Sequence, residues 1–542
     1  MALARENAST LVHVASLESL LKKGRHLFKA EGKQIAVFAG DGGVFACNNR
    51  CPHEGYPLME GSFTQGGGES GACILTCNWH NWKFRLQDGR CVLGGDHVRT
   101  YPAEVRDGFV WVNVEDPPPD VIEASVLDGL RTAFDKRGYG RICREITRLY
   151  YHRLDPLIAV RKAIEWSHDR LEFGTSHAYA AGADWLLLAQ RHESEWEERL
   201  VCLAEAVDHM AFDALRHRVY PYAAPGEPFD PVTFVAAVEA EDRERAEGMV
   251  RRGLADGMHW PDMQEPFAAA ALDHYNDFGH SLIFVQKTSQ LLELAGPSAE
   301  PYLLPALTRS LCYTTREDLL PEFKEYQGAL ENLPEVVAGN GAPLDAAALF
   351  PVTIRRAIAF VREATTSHGP EAIYDALLEL NARNMLHFDT SYQFASDRPV
   401  SENIGWLDFT HGITFANAVR TICAQYPRLW GAGLLQMALF AGRNHRFLDL
   451  ELDESAWQVA DADAFLAEAE TRLLDHGVRE PIFSAHLLKT TRAVREEITV
   501  ASPSCRKYLL ASLNRFLNAP LKQKHARRAA HQAIALVKRD FA

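Results

Sequence analysis

Over residues 1–116, apolar and β-branched residues come in short runs separated by turn signals, the spacing of strands. Runs at 34–38 and 44–47 flank Gly40-Asp41-Gly42-Gly43 and predict a hairpin. Further strands are expected at 73–77, 91–93, 98–101 and 109–114. Three prolines in Asp116-Pro117-Pro118-Pro119-Asp120 favour a stiff extended linker, placed over 117–121. From 122 to 542 the apolar spacing turns helical, with helices expected over 196–218, 231–254, 268–294, 353–364 and 404–424. Breaks fall at 224–231, at Gly296-Pro297 and at 334–343, the last dividing the helical part near 334–346. The pattern therefore predicts a multidomain chain, a small antiparallel β domain followed by a large all-α, bundle-like domain.

Composition narrows the class. A chain of 542 residues is too long for one ordinary core, and 47% apolar with 24% charged residues is a globular balance. The formal net charge of −15 argues against nucleic acid or an anionic membrane as main partner. No apolar run approaches a bilayer span, and the opening MALARENAST is neither a signal nor a transit peptide, so the cytoplasm is expected. Ten cysteines in such a length are not a disulfide framework. Closely spaced Cys and His are expected to be metal ligands instead.

Cys51-Pro52-His53 and Cys77-Asn78-Trp79-His80 form a C-x-H and C-x-x-H pair. A [2Fe–2S] centre takes four protein ligands, and two histidines can replace two cysteines on one iron. A structural zinc site is the other chemistry this set could serve. The flanking residues, Glu54-Gly55-Tyr56-Pro57-Leu58 and Asn81-Trp82-Lys83-Phe84, agree with the first. Residues 30–115 resemble the Rieske ferredoxin-like family, which implies a [2Fe–2S] cluster on Cys51, His53, Cys77 and His80. That resemblance also marks two departures. Tyr56 and Trp79 stand where respiratory Rieske proteins carry a disulfide pair, which implies the lower-potential cluster of oxygenases and soluble ferredoxins. The stretch 65–72, with Gly66–Gly68 and Gly71, lengthens the segment between the loops, and Asn81 replaces a usual glycine.

A one-electron carrier needs an acceptor. No G-x-G-x-x-G follows a predicted strand, so electrons are expected from a separate NAD(P)H-dependent reductase or ferredoxin. Rieske oxygenases bind a mononuclear iron through D-x-x-H and a second nearby histidine. Here Glu165-Trp166-Ser167-His168 is followed only by His177, which does not match. An iron site inside a helical bundle is the alternative, built from carboxylate and His at i, i+3. Candidates on helix faces are Glu165 with His168, Asp169 and Glu172, then Asp273, His274, Asp277 and His280, then Asp408 with His411. Glu205, Asp208 and His209 form a further cluster. Four acid-x-x-His matches end at His168, His259, His280 and His411, against about three expected by chance. His168, His280 and His411 lie in apolar or aromatic surroundings, where an unpaired buried acid is costly. The expected metal ligands are therefore Glu165, His168, His274, Asp277, His280 and His411, while His387, His445 and His486 lack a same-face acid. The segments 274–282 and Phe409-Thr410-His411-Gly412-Ile413-Thr414 resemble questin oxidase-like proteins, which are oxygen-using enzymes.

The leading expectation is a Rieske-fused oxygenase with one or two non-haem irons in the helical domain, acting with O2 on a small apolar or aromatic substrate. The rivals are an electron-transfer protein with a partner-binding helical domain, and a helical domain holding an organic cofactor or haem. The basic stretch 522–538 could dock an acidic reductase or simply be a solvated helix face. A homo-oligomer is compatible with all three readings.

Overall fold

A computed structural model describes residues 11–40, 42–65, 72–214, 218–334, 339 and 344–539. The expected Gly-rich lengthening at 66–68 and 71, residue Asp41 of the hairpin, and most of the break near 334–346 lie outside these residues. The chain divides into two compact units, Met1–Asp155 and Pro156–Ala542.

The first unit is built on three antiparallel sheets. One orders β1 (Leu11–Ser16), β11 (Phe109–Asn113) and β10 (Ala103–Arg106). A second orders β2 (Arg25–Ala30), β3 (Lys33–Gly40), β4 (Gly43–Asn48) and β9 (Thr100–Tyr101). The third orders β5 (Ser62–Thr64), β6 (Ile74–Thr76), β7 (Lys83–Arg85) and β8 (Cys91–Leu93). The run Ile35-Ala36-Val37-Phe38-Ala39 is buried throughout because both faces of its sheet are covered. Period-two alternation sorts it: Ala36 and Phe38 join Leu58, Leu75 and Phe84 in one core. Ile35, Val37 and Ala39 join Val110, Val112 and Leu20 in another. The strands at Leu11–Ser16, Arg25–Ala30, Ser62–Thr64 and Ala103–Arg106 were not among those expected from the pattern. Their alternation is interrupted by charged or exposed residues, as at Lys29, Glu104 and Arg106.

The proline segment does not end this unit. Pro119 opens a helix, Pro119–Asp135, at the one helical position where a missing N–H costs nothing, and a second helix follows at Tyr139–Tyr151. On the latter, Arg141, Arg144 and Arg148 share a face and converge on the buried Asp96 at 2.8, 2.6 and 3.5 Å. Arg148 also pairs with Glu145 at 2.6 Å. Gly129 leaves the room for it, since a Cβ there would sit 2.4 Å from the Glu145 carboxylate.

The second unit is helical. Two helices expected as continuous are broken by left-handed backbone. The 231–254 segment divides into Pro231–Glu239 and Arg243–Ala255 at Glu241, whose φ is 54°. The 268–294 segment divides into Trp260–Leu272 and His280–Ala295, with Asp277, Phe278 and Gly279 all at positive φ between them. Asp273, His274, Asp277 and His280 therefore do not share one helix face. Four helices frame the interior of this unit. His177–Arg191 packs on His280–Ala295 and Pro481–Glu497, and Trp406–Gln425 packs on the same two. Among the described residues, no helix is long and apolar enough to cross a membrane.

Replacing Asp96 by Ala removes the shared partner of three arginines. The expected loss is about 3–5 kcal/mol, the usual cost of breaking a buried ion pair from one side. Urea unfolding followed by circular dichroism checks this, and a change below about 1 kcal/mol would contradict it.

Candidate metal centres

The two loops of the β domain are wired alike. In the first, Cys51 N–H donates to Tyr56 O at 2.9 Å and Gly55 N–H donates to Cys51 O at 2.8 Å. In the second, Cys77 N–H donates to Trp82 O at 2.8 Å and Asn81 N–H donates to Cys77 O at 2.9 Å. Each turn needs a left-handed residue four places after its cysteine, supplied by Gly55 at φ 76° and Asn81 at φ 60°. Asn tolerates that region far better than a β-branched residue, which explains why it can stand in for glycine.

The thiols point inward and the imidazoles outward. Cys51 and Cys77 are 3% and 1% exposed, while the side chains of His53 and His80 are 29% and 37% exposed. Burial pushes the Cys51 thiol up to about 11, opposed by the N–H groups of His53 and Glu54 that point at its sulfur. The two imidazoles lie 4.7 Å apart between ring centres, near perpendicular. Trp82 stacks on His53 at 4.5 Å, and Trp79 stacks on His80 at 5.2 Å. Behind Trp82 lie Gly94 and Gly95, where a Cβ would meet the indole at 2.5 and 3.0 Å. Asp96 follows them directly, so the arginine clamp fixes the backing of the His53 ring. Tyr56 meets Trp79 edge-on at 5.8 Å, an aromatic contact across the two loops, and all ten cysteines are free. His53 Nδ1 is buried with no hydrogen-bond partner among the described residues. Two facing thiols and an orphaned imidazole nitrogen fit a [2Fe–2S] cluster held by Cys51, His53, Cys77 and His80.

Comparison with known proteins agrees. The family profile of the Rieske [2Fe-2S] domain matches residues 10–102. The 3-phenylpropionate/cinnamic acid dioxygenase ferredoxin subunit of Photorhabdus laumondii is 33% identical over 84 residues, 15% of this chain and 74% of that protein. The chain belongs to the Rieske [2Fe–2S] family. The oxidoreductase NdmD of Pseudomonas putida is 34% identical over 128 residues, 21% of this chain and 20% of that protein. The chain thus spans about a fifth of that relative's length. Among solved structures, the ferredoxin of carbazole 1,9a-dioxygenase from Nocardioides aromaticivorans IC177 is 27% identical, with a TM-score of 0.18. It aligns with 20% of this chain and all of that one.

Outside its Rieske domain the chain brings a second set of donors together. His177 and His280 are the first residues of their helices, His411 lies inside Trp406–Gln425, and His486 lies inside Pro481–Glu497. Nε2 of His280 is 3.1 Å from Nε2 of His177 and 2.9 Å from Nε2 of His411. Nε2 of His486 is 3.5 Å from that of His411. The outer nitrogens fix the tautomer: His486 Nδ1 donates to Ile482 O at 2.6 Å, and His280 Nδ1 donates to Asp277 O. In these two rings the inner Nε2 therefore carries the lone pair. Gly279, at φ 77°, lies against Phe415, where a Cβ would fall 2.5 Å from the ring, so the turn before His280 must be tight.

Burial dominates the electrostatics here. It holds all four imidazoles well below the usual histidine range, His280 down to about 3, so they are neutral at pH 7. Lys489 lies 3.4 Å from His411 Nε2 and is pushed down to about 7 by the same burial. Behind it, Lys287 and the buried Asp184 pair at 2.8 Å. The lone pairs of His280 and His486 make the cluster a donor set able to take a cation. Metal–nitrogen bonds of about 2.0–2.1 Å place neighbouring ligand nitrogens roughly 2.9–3.4 Å apart, close to the spacings found. Imidazole sets of this kind suit iron, zinc, copper or nickel.

Of the six expected ligands, the structure brings His280 and His411 into this cluster. Asp277 lies beside it, its carboxylate 3.7 Å from the outer nitrogen of His280 and pushed up to about 7 by burial. The others are placed elsewhere. Glu165 is half exposed and pairs with Lys162 at 2.8 Å. Its helix ends at Ser167, and His168 turns between Tyr222 and Tyr302 with Nδ1 donating to Glu165 O at 2.7 Å. His274 sits in an ion-pair network, 3.0 Å from Asp318 and 2.6 Å from Glu239, with Arg316 alongside. Asp408 accepts from Gly405 N–H at 2.9 Å and pairs with Arg443 at 3.3 Å, so it caps its own helix rather than serving His411. His177 and His486 were not among the expected ligands because neither follows an acid. A different signal marks them: His177 heads an alanine-rich buried helix behind the Ser176 cap, and His486 shares a buried face with Lys489.

Asn81→Gly is expected to keep both stability and the visible spectrum of the reconstituted cluster. Asn81→Val forces a β-branched residue to positive φ, at about 1–3 kcal/mol, and should speed cluster loss on dilution. Equal bleaching rates for the two variants would contradict the backbone argument.

Proposed function

We propose that the chain is an oxidoreductase of the oxygenase class. Electrons received at the Rieske loops serve the O2-dependent oxidation of a small, largely apolar molecule at the four-histidine centre. The observation that carries this reading is the convergence of His177, His280, His411 and His486 in the same chain as a one-electron domain. The resemblance of 274–282 and 409–414 to questin oxidase-like oxygenases supports it, since those two segments carry His280 and His411. Several relatives matching the Rieske region are named as monooxygenase or dioxygenase components.

A [2Fe–2S] cluster on Cys51, His53, Cys77 and His80 supplies one-electron transfer, with a separate NAD(P)H-dependent reductase or ferredoxin as its source. His177, His280, His411 and His486 are the residues that would hold an iron, which would supply the O2 chemistry when bound. The chain's own residues do the rest. The carbonyls of Asp277 and Ile482 hold two rings by their outer nitrogens, which keeps the inner nitrogens free as ligands. Phe284, packed against His177 and His280, keeps water from one side of the centre. His53 and His80 lie at the outer edge of the Rieske loops, where a partner can reach them.

The test is reoxidation of the anaerobically reduced chain by O2, followed through the Rieske absorbance. His411→Ala and His486→Ala are expected to slow it by more than about tenfold without altering the reduced spectrum. His168→Ala, placed away from the centre, should reoxidise at the wild-type rate. Identical rates in all three variants would contradict the reading.

A further inference from the structure

A cavity of about 350 Å³ opens at the start of the Trp406–Gln425 helix. That is within the range of small-molecule pockets. Its apolar wall includes Trp406, Leu407 and Phe483, and its opposite wall carries Lys522, His525 and Arg528. Leu407 lies one helical turn before His411, about 6 Å along the axis, and Phe483 lies three residues before His486. The pocket is therefore built on the same two helices that hold half of the four-histidine centre.

The charge in this cavity is one-sided. Among the described residues, neither Lys522 nor Arg528 has an ion pair with a carboxylate. Arg528 is fixed by backbone carbonyls, with Nε donating to Ala395 O at 2.7 Å and Nη2 donating to Tyr392 O. Its Nη1 remains available. Lys522 makes a single long bond of 3.3 Å to Phe394 O, which leaves donors of its ammonium free. Asp408, an acid on the lining, is already engaged by Gly405 N–H and Arg443. A buried guanidinium held rigidly beside a freer ammonium is the arrangement that recognises a carboxylate.

We propose that this cavity binds an apolar molecule bearing a carboxylate, its apolar body against Trp406, Leu407 and Phe483 and its anion between Lys522 and Arg528. This rests on the proposed oxidation at the four-histidine centre, for which it names the substrate class. The anion is held at the basic wall, and the apolar body lies against residues of the two helices that carry His411 and His486.

Calorimetric titration of the full chain with 1-naphthoate and with neutral 1-naphthalenemethanol tests this without turnover. Naphthoate is expected to bind at least about tenfold tighter than the alcohol, and Lys522→Gln to reduce that ratio below about threefold. Ala529→Trp, an exposed lining position, should abolish binding of both by filling the cavity. Equal affinity for the two probes, no naphthoate binding, or binding unchanged in both variants would overturn the proposal. Titrations of iron-loaded and chelator-treated protein keep the two proposals apart. Naphthoate binding to both forms stands whatever the reoxidation result, and its absence from both counts against the cavity alone.

Discussion

The helical unit is organised around one constraint: four neutral imidazoles in a buried site, with inner nitrogens 2.9–3.5 Å from a neighbour's. Burial opposes their protonation and holds His280 down to about 3. The lysine at 3.4 Å from His411 is pushed down to about 7 by the same burial. His177, His411 and His486 have ligand nitrogens that all lie within 4.8 Å of one another, a set able to share one cation. The local structure is consistent with holding such a set open, from the carbonyl anchors of His280 and His486 to the left-handed turn of Asp277, Phe278 and Gly279. Backbone strain of this kind persists where surrounding packing over-determines it, and here Phe415 closes against Gly279.

The Rieske unit solves a related problem with a different device. Two loops with the same backbone wiring offer one thiol and one imidazole each, the thiols inside and the imidazoles at the rim. Ring orientation is set by stacking, with Trp82 on His53 and Trp79 on His80. The support for Trp82 is traceable to Asp96 and the three arginines of the Tyr139–Tyr151 helix. This makes that helix part of the Rieske unit, although it lies beyond the proline-rich segment.

The Rieske domain was legible because its two Cys/His motifs sit in short loops, so sequence spacing alone carries their geometry. The turn residue Asn81 looked like a departure from pattern and is a conservative solution to a positive φ. The buried histidine cluster was only half legible. His280 and His411 stand after acids at i, i+3, and that spacing pointed to two of the cluster's helices for a reason the structure does not use. Asp408 caps its helix, Asp277 anchors His280 through its carbonyl, and Glu165 pairs at the surface. His177 and His486 reach the centre only through packing of four helices distant in sequence, which no local pattern encodes. The same limit explains the two helices read as continuous. Glu241 and the turn at 277–279 adopt left-handed backbone, and only one of these four residues is a glycine that would have announced it.

The proposed pairing of a [2Fe–2S] cluster with a second metal site makes a stoichiometric claim. The measurement that tests it most directly is the ratio of iron to acid-labile sulfide in anaerobically purified protein. A [2Fe–2S] cluster with one further iron on the four imidazoles gives three irons per two sulfides, a ratio of about 1.5. A ratio of about one, unchanged after incubation with ferrous iron and desalting, would contradict the account.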